Sequence, residues 1–276
     1  MKTKPYCGIL STLFLMALLF AVACVTSSCT APESNLSTQS SPAATQPVPS
    51  DDSPDSYALP AREFVSDVPM EVYLLRQDGY HLEHIGSTRS GKRVSIPAGR
   101  WWVVEVDTSN LPKAVEEINT KSIPGLMIDA SRSQDEDLAC LRKLNRLQFL
   151  AIRGDALTDD ALTHVRSLKG VHVFCLYLCD NITDDGLANL KEWRDLNALY
   201  LEYNDCITGT GFAHLKALPH LETLGLCACS VTDEGLDRIV ELPALKRVDL
   251  RVNETTKQGL TRFKQKRPDV VVGPCP

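Results

Sequence analysis

The chain has 276 residues, with 29 Lys and Arg against 35 Asp and Glu, for a formal net charge of −6. That balance gives no electrostatic case for a nucleic-acid partner. Apolar residues make up 43% of the chain, enough for a packed core, so disorder over its whole length is excluded.

In chain order, Lys2 and Lys4 form a short positive start, and Ile9 to Ala23 is an almost unbroken apolar run. Its 15 residues fall short of the roughly 20 that cross a bilayer. Small residues, Ala21-Val22-Ala23, lie just before Cys24. Residues 1–23 are therefore expected to be a cleaved export signal. Cys24 stands where a bacterial lipoprotein signal places its lipidated cysteine, and Cys29 is a second candidate. The stretch resembles a lipobox, except that alanine occupies the position three before the cysteine. The alternative is an ordinary secretory signal cut after Ala23. The expected location is the bacterial envelope, as a membrane-anchored lipoprotein, or secreted if no lipid is added. Two acyl chains anchor stably, whereas one binds only marginally.

Residues 24–62 are dominated by Ser, Thr, Pro, Ala, Gln and Asp. Such a composition buries too little apolar surface to offset its ordering entropy, and it predicts a flexible tether. A coil of about 30 residues reaches roughly 30 Å.

Residues 63–122 read as a small β unit and N-terminal cap. Alternating segments at Met70–Leu75, Tyr80–Ile85, Arg93–Ile96 and Trp101–Val106 are separated by turn signals at Asp78-Gly79, Ser90-Gly91 and Pro97-Ala98-Gly99. About 45 residues of β structure are marginal as an independent domain. A solenoid end needs covering, and Asp107 lies 24 residues before Ser131, so the last strand fits a first, atypical coil. Asn110-Leu111-Pro112 then starts its helix. Trp101 and Trp102 read as core and boundary residues.

From residue 123 to 276 the sequence repeats. Ser131, Asp155, Cys179, Asn204, Cys229 and Asn253 stand 24, 24, 25, 25 and 24 residues apart. Each follows an apolar frame: Ile123-Leu126-Ile128, Leu147-Leu150-Ile152, Val171-Phe174-Leu176, Leu196-Leu199-Leu201, Leu221-Leu224-Leu226 and Leu245-Val248-Leu250. Positions one, four and six of a frame turn inward, and three and five turn to the opposite face. The short polar residue at position nine is expected to bridge neighbouring coils as a ladder, because a buried turn leaves backbone groups that need partners. A threonine with carboxylates behind it follows, as in Leu157-Thr158-Asp159-Asp160 and Ile182-Thr183-Asp184-Asp185, and suits a helix N-terminus. Apolar residues every third position, such as Leu187, Leu190 and Trp193, make the helix's inward face.

This L-x-x-L-x-L-x-x-(N/C) frame, with I-T-D-x-G-L after it, resembles the leucine-rich repeat family, in particular its ribonuclease-inhibitor-like and cysteine-containing subclass. The resemblance implies an α/β solenoid with parallel strands on the concave face and short α-helices on the convex face. It also implies a protein-binding role with no shared active site. Thr255-Thr256-Lys257 departs from the motif, as a terminal repeat does.

No catalytic residue, metal site or cofactor is expected. The histidines form no H-x-x-x-H pair, and the chain has no phosphate-cradling loop or nucleophile elbow. Acidic clusters at Asp135-Glu136-Asp137 and Asp184-Asp185 fit helix N-termini. Cys179 and Cys229 read as buried ladder thiols, with a Cys206–Cys229 disulfide left open. The strand face opposite the core is the expected protein-binding surface, carried by Phe149, Arg153, Tyr177, Tyr200, Tyr203, Arg247, Asp249 and Arg251. The function expected is therefore non-enzymatic binding or scaffolding of a protein partner in the envelope. A substrate-recognition role like that of F-box receptors is disfavoured by the signal segment and the missing F-box, and an enzyme with an unrecognised site is the remaining alternative.

Overall fold

The computed structural model describes residues 61–75 and 82–273. The export signal, Cys24, Cys29, the tether up to residue 60 and the Asp78-Gly79 turn lie outside the described residues.

The N-terminal strands are β1 (Arg62–Phe64), β2 (Glu71–Leu75), β3 (Leu82–Ser87), β4 (Val94–Ile96) and β5 (Trp102–Asp107). The repeats supply β6 (Gly125–Asp129), β7 (Phe149–Arg153), β8 (Val173–Tyr177), β9 (Ala198–Glu202), β10 (Thr223–Gly225), β11 (Arg247–Asp249) and β12 (Val271–Val272). A sheet of ten strands runs β12-β11-β10-β9-β8-β7-β6-β5-β2-β3. From β5 to β12 every pairing is parallel, and β2 joins β5 antiparallel. The chain folds as an α/β leucine-rich repeat solenoid with a small antiparallel unit at its N-terminal end.

β5 belongs to both parts. It leads through the helix Leu111–Lys121, with proline in its first turn, into β6, which makes it the first coil's strand. Arg62–Phe64, where the expected tether (24–62) meets the expected β unit (63–122), pairs with Val94–Ile96 as a two-stranded sheet. The reason is Phe64, which is buried with its ring 4.9 Å from that of Trp102. One aromatic anchor orders a stretch that is otherwise polar.

The core follows the frames. Leu147, Leu150, Ile152, Val171, Phe174 and Leu176 share one cluster with Leu162, Val165, Leu187, Leu190 and Trp193. Burying a Leu or Phe side chain contributes about 1.5–3 kcal/mol, and stacking delivers that gain in every coil. The convex segments differ from the predicted α-helices in half of the repeats. Asp159–Val165, Asp233–Ile239 and Lys257–Lys266 are α-helical, but Asp135–Lys143, Asp185–Leu190 and Thr210–Leu215 are 3-10 helices. An apolar spacing of three matches the 3-10 period, and these segments keep their apolar residues on the inward face in either form.

Candidate functional site

Because the strands are parallel and in register, side chains facing away from the helices form three rows. One runs Val103, Gly125, Phe149, Val173, Ala198, Thr223 and Arg247. The next runs Glu105, Met127, Ala151, Cys175, Tyr200, Gly225 and Asp249. The third runs Asp107, Asp129, Arg153, Tyr177 and Glu202. All the strand residues expected to bind a partner lie on this face, with Tyr203 and Arg251 just beyond it.

Their depth differs from the expectation. Phe149, Arg153, Tyr177, Tyr200 and Asp249 are all buried, Asp249 completely. Only Tyr203, Arg247 and Arg251 of the predicted set are half-buried. Alternation identifies the side of a sheet that a residue faces, whereas exposure depends on its neighbours. Parallel strands about 4.8 Å apart set the side chains of a row edge to edge. Glycine then lets a ring lie flat across the next strand: a Cβ on Gly225 would stand 2.4 Å from Cδ1 of Tyr200. Arg153 Nη2 donates to Asp129 Oδ2 at 2.7 Å, which binds adjacent strands. These five residues are corrected from surface contacts to the buried floor of the face.

Several polar groups on that face are paired. Tyr73 donates to Glu105 Oε2 at 2.7 Å. Burial pushes the Glu105 carboxyl up, partly opposed by that hydrogen bond. Arg251 donates Nε to Asp249 Oδ1 at 3.0 Å and Nη2 to Oδ2 at 2.7 Å, a two-pronged pair that fixes the guanidinium plane. That carboxylate holds the Arg251 pKa above its already high value. Burial, and then the charge of Glu202, raises the Cys175 thiol far above the usual range.

Four of the six ladder positions reach back one coil. Cys179 Sγ faces the Ile152 carbonyl, and Asn204 Nδ2 donates to the Leu176 carbonyl at 3.0 Å. Cys229 Sγ donates to the Leu201 carbonyl, and Asn253 Nδ2 to the Leu226 carbonyl at 2.6 Å. Ser131 and Asp155 do not. Ser131 bonds within its own coil to Asp129, and Asp155 is exposed. Their assignment as ladder residues is corrected, and the backbone explains why. In the four laddered coils the residue before the ladder position is left-handed: Leu178 (φ 52), Tyr203 (φ 59), Ala228 (φ 57) and Val252 (φ 56). Ala130 and Gly154, before Ser131 and Asp155, have no positive φ. The left-handed residue turns the next side chain inward, and without it that side chain stays at the rim.

A second set of bridges, not expected from the sequence, joins the coils on the convex side. Carboxylates ascribed to the helix dipole instead hold the next coil. Asp135 accepts from Thr158 N at 2.9 Å and Oγ1 at 2.6 Å, Asp159 from Thr183 N at 2.8 Å and Oγ1 at 2.7 Å, and Asp233 from Thr256 N at 2.9 Å and Oγ1 at 2.7 Å. Asp184 accepts from Thr208, from Thr210 Oγ1 and from the N–H groups of Gly209 and Gly211. The glycine three residues after the threonine makes room. A Cβ on Gly186 would stand 2.3 Å from Asp159 Oδ1, and one on Gly259 would stand 2.1 Å from Asp233 Oδ1. The visible signal was the motif itself, since a glycine inside a helix start needs a packing reason.

The described cysteines are free thiols, so the open Cys206–Cys229 disulfide is not formed. Cys206 is exposed, while Cys179 and Cys229 are pushed up to about 12 by burial. Among the described residues no cluster of His, Cys, Asp or Glu is arranged to hold a metal, and no helix is long and apolar enough to cross a membrane.

No protein-family model matches the chain, and no curated protein matches it. Among solved structures it is similar to internalin C2 of Listeria monocytogenes, at 19% identity and a TM-score of 0.45, covering 62% of this chain and 69% of that one. It is also similar to the internalin InlF of that organism, at 19% identity and a TM-score of 0.36, covering 53% and 46% of the two chains. For InlP of Listeria monocytogenes the values are 14% and 0.39, covering 62% and 45%. The chain thus spans less than half the length of the latter two. Its leucine-rich repeat fold is established by its own strand pairing and period.

Proposed function

We propose that this protein is a non-enzymatic binding or scaffolding module that engages a protein partner through the strand face of the solenoid. The observation that carries this reading is the division of that face. Phe149, Tyr177, Tyr200 and Arg153, the last paired with Asp129, form a buried floor, and Tyr203, Arg247 and Arg251 stand half-buried on and beside that face. Arg251 is oriented in advance by Asp249, so little rotamer freedom is lost when it meets a partner. Tyrosine and arginine on a rigid support are the residue types that dominate protein interfaces. The subclass resemblance of the cysteine-containing ladder is consistent with the same role.

In this reading the module acts outside the cytoplasm, in the bacterial envelope, and is held to a membrane by a lipid on Cys24 or, failing that, on Cys29. The support is the charged start, apolar run and small residues before Cys24. Inhibition of lipoprotein signal processing by globomycin is expected to accumulate the uncleaved precursor, and unaffected processing removes the anchor.

Photo-crosslinking in the native envelope tests the binding face. A benzoylphenylalanine at Tyr203 or Arg247 is expected to trap a discrete partner that the same group at Thr163, on a convex helix, does not. Equal trapping at both faces, or none at either, overturns the reading.

A further inference from the structure

The four left-handed residues that set up the ladder form a row of their own. Leu178, Tyr203 and Ala228 are half-buried, and Val252 is 76% exposed. The fold alone favours glycine or asparagine where φ is positive, and a β-branched residue is the least suited of all. All four positions instead carry apolar or aromatic side chains. Two residues after Leu178, Tyr203 and Val252 stand Asp180, Asp205 and Glu254, and the latter two are exposed. Asp180, Asp205 and Glu254 each directly follow a ladder residue, Cys179, Asn204 and Asn253, so all three stand at the same turn of their coils, beside the left-handed row. The neighbouring cation, Arg251, is already held by Asp249.

We infer that this rim docks a basic amphipathic helix of a partner protein. The inference extends the protein-binding reading from the strand face to its edge and names the partner's chemistry. Spacing favours a helix over an extended strand. Three coil-to-coil steps of about 4.8 Å span roughly 14 Å. The apolar positions i, i+3, i+7 and i+10 of a helix span about 15 Å at about 1.5 Å per residue. Apolar side chains then meet the four rim residues in turn, and lysines on the flanks face Asp180, Asp205 and Glu254. The unfavourable conformation at Val252 is retained because its side chain is a contact.

The test uses the full chain and a labelled peptide of about 14 residues, with Leu at i, i+3, i+7 and i+10 and Lys elsewhere. Fluorescence anisotropy is expected to show saturable binding that weakens with salt, with no binding of the same peptide carrying Glu for Lys. Leu178→Asp and the pair Asp205→Lys/Glu254→Lys are each expected to weaken it about tenfold or more. Val252→Gly, which relieves the backbone and so keeps the fold, is expected to weaken it while raising Tm. Arg247→Glu, on the strand face, is expected to leave peptide affinity unchanged while abolishing crosslinking at that face. Absence of binding, equal binding of the Glu peptide, or unchanged affinity in Val252→Gly overturns the inference. Loss of binding in Arg247→Glu with the rim variants intact also overturns it and leaves the strand-face reading standing.

Discussion

Asn204 Oδ1 accepts the backbone N–H of Cys179 at 2.7 Å, across a sequence separation of 25 residues. The same amide donates Nδ2 to the carbonyls of Leu176 at 3.0 Å and Glu202 at 3.1 Å. One buried side chain thereby closes the turns of two coils, and every backbone group it satisfies is out of reach of water.

Removing that amide leaves a buried N–H and carbonyl without partners, which costs about 1–3 kcal/mol each. Asn204→Ala is expected to lower unfolding free energy in urea by about 2–4 kcal/mol. Asp155→Ala, at the equivalent position of a coil with no ladder contact, is expected to change it by less than about 0.5 kcal/mol.

The glycine pockets predict a graded series. A Cβ on Gly211 would stand 2.3 Å from the backbone carbonyl oxygen of Asp184, which cannot move without shifting the coil. A Cβ on Gly259 first meets the Asp233 carboxylate, which can swing away at the loss of its bonds to Thr256. Thermal melts are expected to show Gly211→Ala as the more damaging substitution, by about 2 kcal/mol or more.

Thiol chemistry separates the cysteines. With Cys179 and Cys229 pushed up to about 12 and buried, their thiolate fraction at neutral pH is negligible. A maleimide on the native chain is expected to modify Cys206 quickly, and Cys175, Cys179 and Cys229 only after denaturation, as read by peptide mass spectrometry. Rapid native labelling of Cys229 contradicts the ladder geometry.

Two carboxyls predict opposite pH effects. The Thr256 side chain and backbone hold Asp233 below the usual carboxylate range. Its folded pKa is depressed, so its contribution is present above the unfolded value and lost as pH falls through the folded one. Glu105 is raised by burial, so its contribution is present below the unfolded glutamate value and lost as pH rises through the folded one. In urea titrations over pH, Asp233→Asn is expected to flatten the acid limb. Glu105→Gln, which keeps an acceptor for Tyr73, is expected to remove the loss on the rising side.

The period was legible because a solenoid must repeat its apolar frame in every coil. Leu150, Phe174, Leu199, Leu224 and Val248 therefore all stand where the spacing puts them. Depth on the strand face was not legible: alternation puts Phe149 and Tyr200 on the correct side without revealing that Gly225 lets the Tyr200 ring lie across the sheet. Ser131 and Asp155 match the ladder in identity, but the ladder also requires a left-handed residue before it, and Ala130 and Gly154 show no such requirement in their letters. Asp159 and Asp233 sit where a helix dipole welcomes a carboxylate, and that local explanation concealed the partner one coil away.

Native-state hydrogen exchange at the Cys179 amide tests the stacking of the coils most directly, because its acceptor belongs to the following repeat. Protection approaching that of global unfolding in the wild type, lost selectively at Cys179 in Asn204→Ala while β7 amides stay protected, is the predicted result. Fast exchange of the Cys179 amide in the wild type, or unchanged protection in Asn204→Ala, contradicts the stacked ladder and the surface built on it.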